Sequence, residues 1–176
     1  MSLLDLARET KETFNPETDT LDQTGLPAGE YDTIIKKVRF DVAPSGWEQM
    51  TFEYEVLVGE FAQRVEFVSV HFNEVWKNKE MPKFVLERNM KLVQKIAYIS
   101  GYQFKQNDFD DLTILANSLQ EIVGTQMLLK VKVSPNKKDP TNPYRSYDVE
   151  GYAEEVDLPQ PPVDEAIQLS DADLPF

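Results

Sequence analysis

The chain has 176 residues, of which 41% are hydrophobic and 28% charged, and it carries a formal net charge of −13 and no cysteine. The missing cysteines exclude disulfides, thiolate zinc sites and a cysteine nucleophile. No apolar run reaches the roughly 20 residues of a membrane helix. No basic region followed by a long apolar stretch occurs at the N-terminus, so we expect no secretion signal and a cytoplasmic protein.

The negative charge is concentrated at the two ends of the chain. Residues 1–32 hold eight acids and two bases, and residues 154–176 hold seven acids and no base. Residues 33–153 hold 16 acids and 16 bases. The central part is therefore neutral and is able to carry a basic face, although the whole chain is acidic.

Polar and acidic residues dominate the first 28 positions, which we interpret as an arm with a short helix at 3–7 that docks on the body. Three β segments follow. Residues 31–42 are rich in β-formers, and 50–58 alternate strictly between apolar and polar side chains. The third segment, 61–72, is ambiguous, because two sets of alternating positions both look apolar.

The hydrophobic period then changes from 2 to 3.6, which is typical of helix. An apolar stripe predicts a helix over 84–97, with Pro82 in its first turn. A second helix is predicted over 112–122, with Asp110 or Asp111 as its cap.

The β pattern returns after these helices. Residues 127–133 alternate, a loop with three prolines covers 135–143, and 144–152 form a fifth strand. The acidic, proline-rich segment 154–176 is not expected to fold alone.

The predicted order is three strands, one or two helices, two strands and a tail. Five strands with a helix between the third and fourth are typical of the OB-fold barrel, and an α+β sheet with a helical layer is the alternative. We predict a mainly β protein with an OB-like barrel over 29–153, between an arm at 1–28 and a tail at 154–176.

Few residues in the sequence suit catalysis. His71 is the one histidine of the chain, and a lone histidine is more often structural than a base or a ligand. Acids at 108–111 would suit a cation, but acids at a helix start usually cap free N–H groups. No glycine-rich phosphate loop occurs. We therefore expect no enzymatic activity, no cofactor and no metal.

Bases and aromatic residues cluster together in the β segments. Single-stranded nucleic acid is bound by this combination, because cations contact phosphates and aromatic faces stack on bases without regard to sequence. Taken singly, the lysines also suit a solvated strand face, Phe67 a core position, and the tryptophans lids on the barrel. The candidate DNA-binding residues are Lys36, Lys37, Arg39, Trp47, Arg64, Phe67, His71, Trp76, Lys77, Lys130, Lys132, Lys137, Lys138, Tyr144, Arg145 and Tyr147.

The chain ends Asp171-Ala172-Asp173-Leu174-Pro175-Phe176. A terminal phenylalanine offers a ring to an apolar pocket and a carboxylate to a basic rim. The hexapeptide resembles the acidic tip of bacterial and phage single-stranded-DNA-binding proteins, with Asp-Ala-Asp in place of an unbroken acidic run. The body, around 26–31, 52–58 and 99–101, is similar to a phage-encoded family of unknown function with an OB-like fold.

These resemblances imply a sequence-independent single-stranded-DNA-binding protein of phage replication, recombination and repair, acting in the cytoplasm of the bacterial host. Partner proteins would be recruited by the tip residues Asp171, Asp173, Leu174, Pro175 and Phe176. The acidic tail would occupy the DNA-binding surface of the barrel when DNA is absent. Tail-bearing relatives are often dimers or tetramers, and the sequence leaves the oligomeric state, including a homodimer, open.

Two other classes of protein fit the sequence. The net charge suits an acidic DNA mimic that inhibits a DNA-processing enzyme, although the neutral, aromatic body argues against it. A phage structural or assembly protein with a β core is the other.

Overall fold

A computed structural model describes residues 2–13, 15–17 and 25–152. The tail at 154–176, including the predicted partner-binding residues 171–176, lies outside the described residues.

The N-terminal helix predicted at 3–7 is present but longer, as α1 (Leu3–Thr13). Ser2 begins it with a reciprocal cap: the Ser2 hydroxyl accepts from the Asp5 amide at 3.1 Å, and the Ser2 amide donates to the Asp5 carboxylate at 3.2 Å. The side chains of Leu3, Leu4 and Leu6 are exposed, so the expected docking on the body is not observed.

The first half of the body is β structure, with β1 (Gly29–Val42), β2 (Glu48–Val56) and β3 (Val65–Val70) in an antiparallel meander. The third strand starts later than predicted, because Gly59 and Gln63 adopt φ of 90° and 70° and fold 57–64 into a turn. A small hairpin that the sequence analysis missed follows, made of β4 (Val75–Trp76) and β5 (Lys79–Glu80).

The helical part lies between the third and fourth strands of the main sheet, as predicted. It comprises α2 (Lys83–Ile99), a short 3₁₀ turn at Gln106–Phe109, and α3 (Leu112–Ser118), which continues into a second 3₁₀ turn at Leu119–Ile122. The Asp111 carboxylate accepts from the Ile114 amide at 2.8 Å, which confirms this residue as the cap of α3.

Two further strands complete the sheet, β6 (Gln126–Ser134) and β7 (Tyr144–Glu150). The five strands lie in the order β3-β2-β1-β6-β7, and every neighbouring pair is antiparallel. The edge strands β3 and β7 therefore run in the same direction. No backbone ladder joins them within the described residues, so the sheet is not a closed barrel there.

The core lies on one side of this sheet, between the sheet and the buried faces of α2 and α3. The inward side chains of β2 fix which residues of β3 point inward, because Phe52 pairs with Val68 and Met50 with Val70. The ambiguity of the third segment is thereby settled. Val68 and Val70 are buried, and Phe67 points outward with 45% of its side chain exposed.

The two edge strands are joined by side chains, in a region that we call the seam. Glu66 of β3 is 4% exposed, and its carboxylate accepts from the Arg145 guanidinium and the Tyr147 hydroxyl of β7, both at 2.7 Å. The Leu26 amide donates to the same carboxylate at 2.8 Å. A charge buried in the core is tolerated here because each carboxylate oxygen has a partner.

The segment before β1 is part of the seam, although the sequence analysis assigned it to the arm. Leu26 is fully buried in the core, and its carbonyl accepts from Arg145. A Cβ at Gly25 would lie 2.6 Å from the Arg145 guanidinium carbon. Glycine at this position lets the backbone cross close to the arginine.

Candidate nucleic-acid interface

The outer face of β3 presents an exposed aromatic side chain at one end and leads to others at the opposite end. Phe67, Ser69 and His71 alternate outward along and just beyond the strand. At about 3.3 Å per residue, Phe67 and His71 lie roughly 13 Å apart. Between them the Ser69 hydroxyl is bonded to the Thr51 hydroxyl of β2 at 2.9 Å.

Three rings meet beyond the end of β3, and we call Trp47, His71 and Trp76 the aromatic patch. The centroids of Trp47 and His71 are 4.4 Å apart, and those of Trp47 and Trp76 are 4.7 Å apart at an interplanar angle of 75°. The Lys77 ammonium lies 5.9 Å from the Trp76 ring centroid. All four residues are among the sequence-predicted candidates, and the fold brings them together.

Each ring of the aromatic patch is positioned by a turn or a hydrogen bond. Trp47 closes the β1–β2 loop, where its carbonyl accepts from the Ala43 amide at 2.8 Å. Trp76 is placed by the β4–β5 hairpin, whose turn residues Lys77 and Asn78 have φ of 49° and 61°, as in a type I′ turn. The His71 carbonyl accepts from the Asn89 side chain at 2.9 Å.

The surroundings of the His71 imidazole favour its neutral form. Burial lowers its pKa, and the nearby Arg88 guanidinium lowers it further. Its Nδ1 atom is buried and has no hydrogen-bond partner within the described part of the chain. The ring therefore acts as an aromatic surface beside Trp47 rather than as a cation.

Most cations predicted on β1 are paired with acids on the same outer face. Lys36 contacts Glu55 at 3.4 Å, and Arg39 contacts Glu53 at 3.2 Å. The Arg39 guanidinium also lies 5.7 Å from the Phe67 ring centroid, so the two predicted residues form one exposed cation–aromatic pair. Lys37 is exposed and has no ion pair with any described residue.

The predicted cations of β6 differ from each other in pairing. Lys130 contacts Glu150 at 2.6 Å and Glu30 at 3.4 Å, and its hydrogen bond to Glu150 raises its pKa. Lys132 is exposed and makes no ion pair within residues 25–152.

The β6–β7 loop displays two more predicted cations. The Asn136 side chain accepts from the Lys138 amide at 3.0 Å and donates to the Asn142 carbonyl at 3.0 Å, which orders the loop. Lys137 and Lys138 are exposed on it, and Tyr144, at its end, is 59% exposed.

Three predicted residues serve packing in this structure. Arg145 and Tyr147 are engaged with Glu66 in the seam, where burial and the Glu66 hydrogen bond raise the pKa of Tyr147 to about 12. The Arg64 guanidinium lies 5.4 Å from the Phe61 ring centroid. Arg145 and Tyr147 therefore also support the fold by joining the edge strands.

The sequence analysis missed three exposed cations of α2: Arg88, Lys91 and Lys95. Their spacing of three and four residues puts them on one stripe of the helix. This spacing could have indicated a basic face on α2, but only bases in the β segments were considered as candidates.

The acids at 108–111 serve local structure. The Asp108 carboxylate accepts from the Lys105 amide at 2.8 Å, the Tyr102 hydroxyl at 2.8 Å and the Ser118 hydroxyl at 2.7 Å. The backbone hydrogen bond from Lys105, with those from the hydroxyls, lowers the pKa of Asp108. Among the described residues, no group of three His, Cys, Asp or Glu side chains is arranged to hold a metal ion.

Fold and surface together define a mainly β protein whose antiparallel sheet carries exposed aromatic and basic side chains on its outer face. A family model described as a protein of unknown function (DUF669) matches residues 13–161, and the chain belongs to this family. No curated protein matches the chain. In the part of the chain that is described, no helix has the length and apolar character needed to cross a membrane.

Proposed function

We propose that the protein binds single-stranded DNA without sequence preference, through the outer face of β2 and β3 and the adjoining loops. The observation that carries this proposal is the aromatic patch, together with the exposed Phe67 on the same strand face. Phe67 is exposed and the three rings of the patch are half-buried, and aromatic side chains spaced along one face are suited to stacking on successive bases.

The strand arrangement supports an OB-like interpretation of the fold. The order β3-β2-β1-β6-β7, with parallel edge strands and helices between the third and fourth strands, is the order expected of an OB-fold, in which the partly open barrel has its gap between strands three and five. In this interpretation the seam is the gap. OB-folds bind oligonucleotides on the face of strands two and three and the loops at 1–2 and 4–5.

Those two loops carry predicted binding residues in this chain. Trp47 belongs to the β1–β2 loop, and Lys137 and Lys138 belong to the β6–β7 loop. Arg145 directly contacts Glu66, so the β6–β7 loop lies beside the Phe67 end of β3. A strand stacked along β3 would therefore have the aromatic patch at one end and two lysines at the other.

The two kinds of side chain would contribute different terms to binding. Each stacked base is worth about 1–3 kcal/mol and is insensitive to base identity. Each phosphate neutralised by a cation makes the affinity fall with salt, with a slope of about −0.7 per contact for single strands. Unpaired cations such as Lys37 and Lys77 suit this role better than Lys36, which already contacts Glu55.

The C-terminal residues 171–176 would recruit partner proteins of phage replication or recombination. This part of the proposal depends on the resemblance of the tip to the ends of single-stranded-DNA-binding proteins. Its chemistry is an apolar ring and a carboxylate on Phe176, preceded by Asp171 and Asp173.

Tryptophan fluorescence tests the proposed site directly, because both tryptophans of the chain lie in the aromatic patch. Titration with a dT oligonucleotide of about 20 nucleotides should quench the emission. Trp47→Phe and Trp76→Phe should each retain part of the quench. Binding detected by anisotropy of a labelled oligonucleotide without any quench would place the DNA elsewhere, and no binding at low salt would overturn the proposed function.

A further inference from the structure

A groove of about 470 Å³ lies between α2 and the strands that border the seam. Five cations line it: Arg88, Lys91 and Lys95 from α2, Lys132 from β6 and Arg145 from β7. Asp148 is its one acidic lining residue among those that the structure describes. We call this surface the basic groove.

The geometry of α2 explains why three of these cations share one side. Val93, Ile96 and Ala97 are buried against the core, which leaves positions 88, 91 and 95 on an exposed stripe. Seven residues at 1.5 Å each separate Arg88 from Lys95 by about 10.5 Å along the axis. The positive charges are therefore spread along the helix axis.

Much of this charge is uncompensated. Lys95 contacts Asp148 at 2.7 Å and Arg145 contacts Glu66 at 2.7 Å. Arg88, Lys91 and Lys132 have no ion-pair partner in residues 25–152. Three unpaired cations in one groove are a strong local excess in a chain of net charge −13, and a groove concentrates their field.

The basic groove lies next to the aromatic patch at one end of β3 and next to Phe67 at the other. Next to Arg88, the Asn89 side chain donates to the His71 carbonyl, and Arg88 is close enough to lower the pKa of His71. Tyr147 borders both the basic groove and the neighbouring cavity that Phe67 lines. A strand leaving the aromatic patch beside His71 would therefore next meet Arg88 of the basic groove.

We infer that the basic groove is a second segment of the nucleic-acid site, binding the phosphates of nucleotides beyond those stacked on the outer face of β3. The inference rests on the proposed function. It assigns to α2 a role in holding the sugar-phosphate backbone, and it predicts a binding site longer than the β3 face alone.

The test compares Arg88→Ala/Lys91→Ala/Lys95→Ala with the unmodified full chain, using dT oligonucleotides of about 5 and about 20 nucleotides over a range of salt concentrations. With the longer oligonucleotide, the triple variant should bind more weakly, and the slope of log affinity against log salt should fall in magnitude by about 2, since each single-strand phosphate contact contributes about 0.7. With the shorter one, its affinity should match that of the unmodified chain.

A matched control is Lys11→Ala/Lys83→Ala/Lys105→Ala, which removes the same charge from exposed positions outside the basic groove. It should leave the slope unchanged for both lengths. Equal loss in the two triple variants, or loss for both lengths alike, would overturn the inference and reduce the effect to net charge. An unchanged slope in the groove variant, with the aromatic substitutions still reducing affinity, would overturn the inference alone. Absence of binding by the unmodified chain would overturn the proposed function as well.

The acidic tail is the competing occupant, and the same experiment distinguishes it. If residues 154–176 occupied the basic groove instead of DNA, the groove substitutions would tighten or leave unchanged the binding of the longer oligonucleotide. They would also abolish any gain in affinity caused by ending the chain at Ala153. That result would contradict the assignment to nucleic acid.

Discussion

Two neighbouring residues of β3, Glu66 and Phe67, reverse the usual relation between polarity and burial. Glu66 points inward and is 4% exposed, whereas its neighbour Phe67 points outward and is 45% exposed. A buried carboxylate calls for a specific reason, and an exposed aromatic ring does so when other aromatic and basic side chains share its surface. On the inner face the reason is structural, because Glu66 joins the two edge strands. On the outer face, the ring contact that the described residues provide for Phe67 is the Arg39 guanidinium at 5.7 Å, and the ring stays partly exposed, which favours a ligand.

The same contrast extends to the neighbours of both residues. Arg145 and Tyr147 look like DNA-binding residues in the sequence, but their polar atoms are directed at Glu66. Trp47, His71 and Trp76 are also predicted as DNA-binding residues, with lids as the alternative for the two tryptophans, and they form a half-buried patch at the surface. The type of a side chain therefore does not tell whether the residue stabilises the fold or lies on the proposed binding surface. The direction in which the side chain points does.

The largest expected effect is on the inner face. Glu66→Ala should lower the free energy of unfolding by about 3–5 kcal/mol, because it leaves the Arg145 charge without its buried partner. Tyr147→Phe removes the two hydrogen bonds of the hydroxyl, to Glu66 and from Arg145, but keeps the ion pair, and should cost less, about 1–3 kcal/mol. Urea unfolding monitored by circular dichroism measures both. Similar small losses in the two variants would show that the seam does not depend on the ion pair.

The second largest effect is expected for the affinity for DNA, on substitution of Phe67 on the outer face of β3. Phe67→Ala should weaken binding of a dT oligonucleotide by about 1–3 kcal/mol, the loss of one stacked base, and leave the stability nearly unchanged. Phe109→Ala is the matched control, because Phe109 is 46% exposed and lies outside the proposed interface. Anisotropy titration compares the two. Equal weakening in both variants would remove Phe67 from the interface.

The smallest effect concerns the pH dependence of stability at His71. Its folded-state pKa is lowered by burial and by Arg88, so the unfolded chain binds the proton more readily. The stabilisation of the folded state that results from this pKa difference is complete above the ordinary histidine pKa of about 6.5. It is lost as the pH falls through the lower pKa of the folded state. The stability of the protein relative to His71→Gln should therefore decline on acidification below pH 6.5. A difference that is constant between about pH 5 and 8 would contradict this.

The periodicity of the sequence predicted most of the fold. Strict alternation located β2, and the change of period located α2 and α3. The third segment could not be oriented from its own residues, because Val65 and Phe67 are as apolar as Val68 and Val70. Only the pairing of this segment with β2 determines which of its side chains face the core. The β4–β5 hairpin escaped prediction because strands of two residues have no periodicity.

The candidate site was predicted in part, for a similar reason. Clustering of bases with aromatics identified the residues of the aromatic patch and the cation beside Phe67. It could not show that Arg39 and Lys36 are paired across the sheet, since those partners lie on a different strand. It did not include the cations of α2, whose spacing indicates a common side of the helix but does not show that this side faces the seam.

The most direct test of the central claim is a titration of the full chain with a dT oligonucleotide of about 35 nucleotides at low and high salt, followed by tryptophan fluorescence. A chain ending at Ala153 is titrated in parallel. The account predicts quenching and an affinity that falls with salt, retained or increased without the tail. Absence of binding by both chains at low salt would contradict the account and favour an acidic mimic that acts on a DNA-processing enzyme.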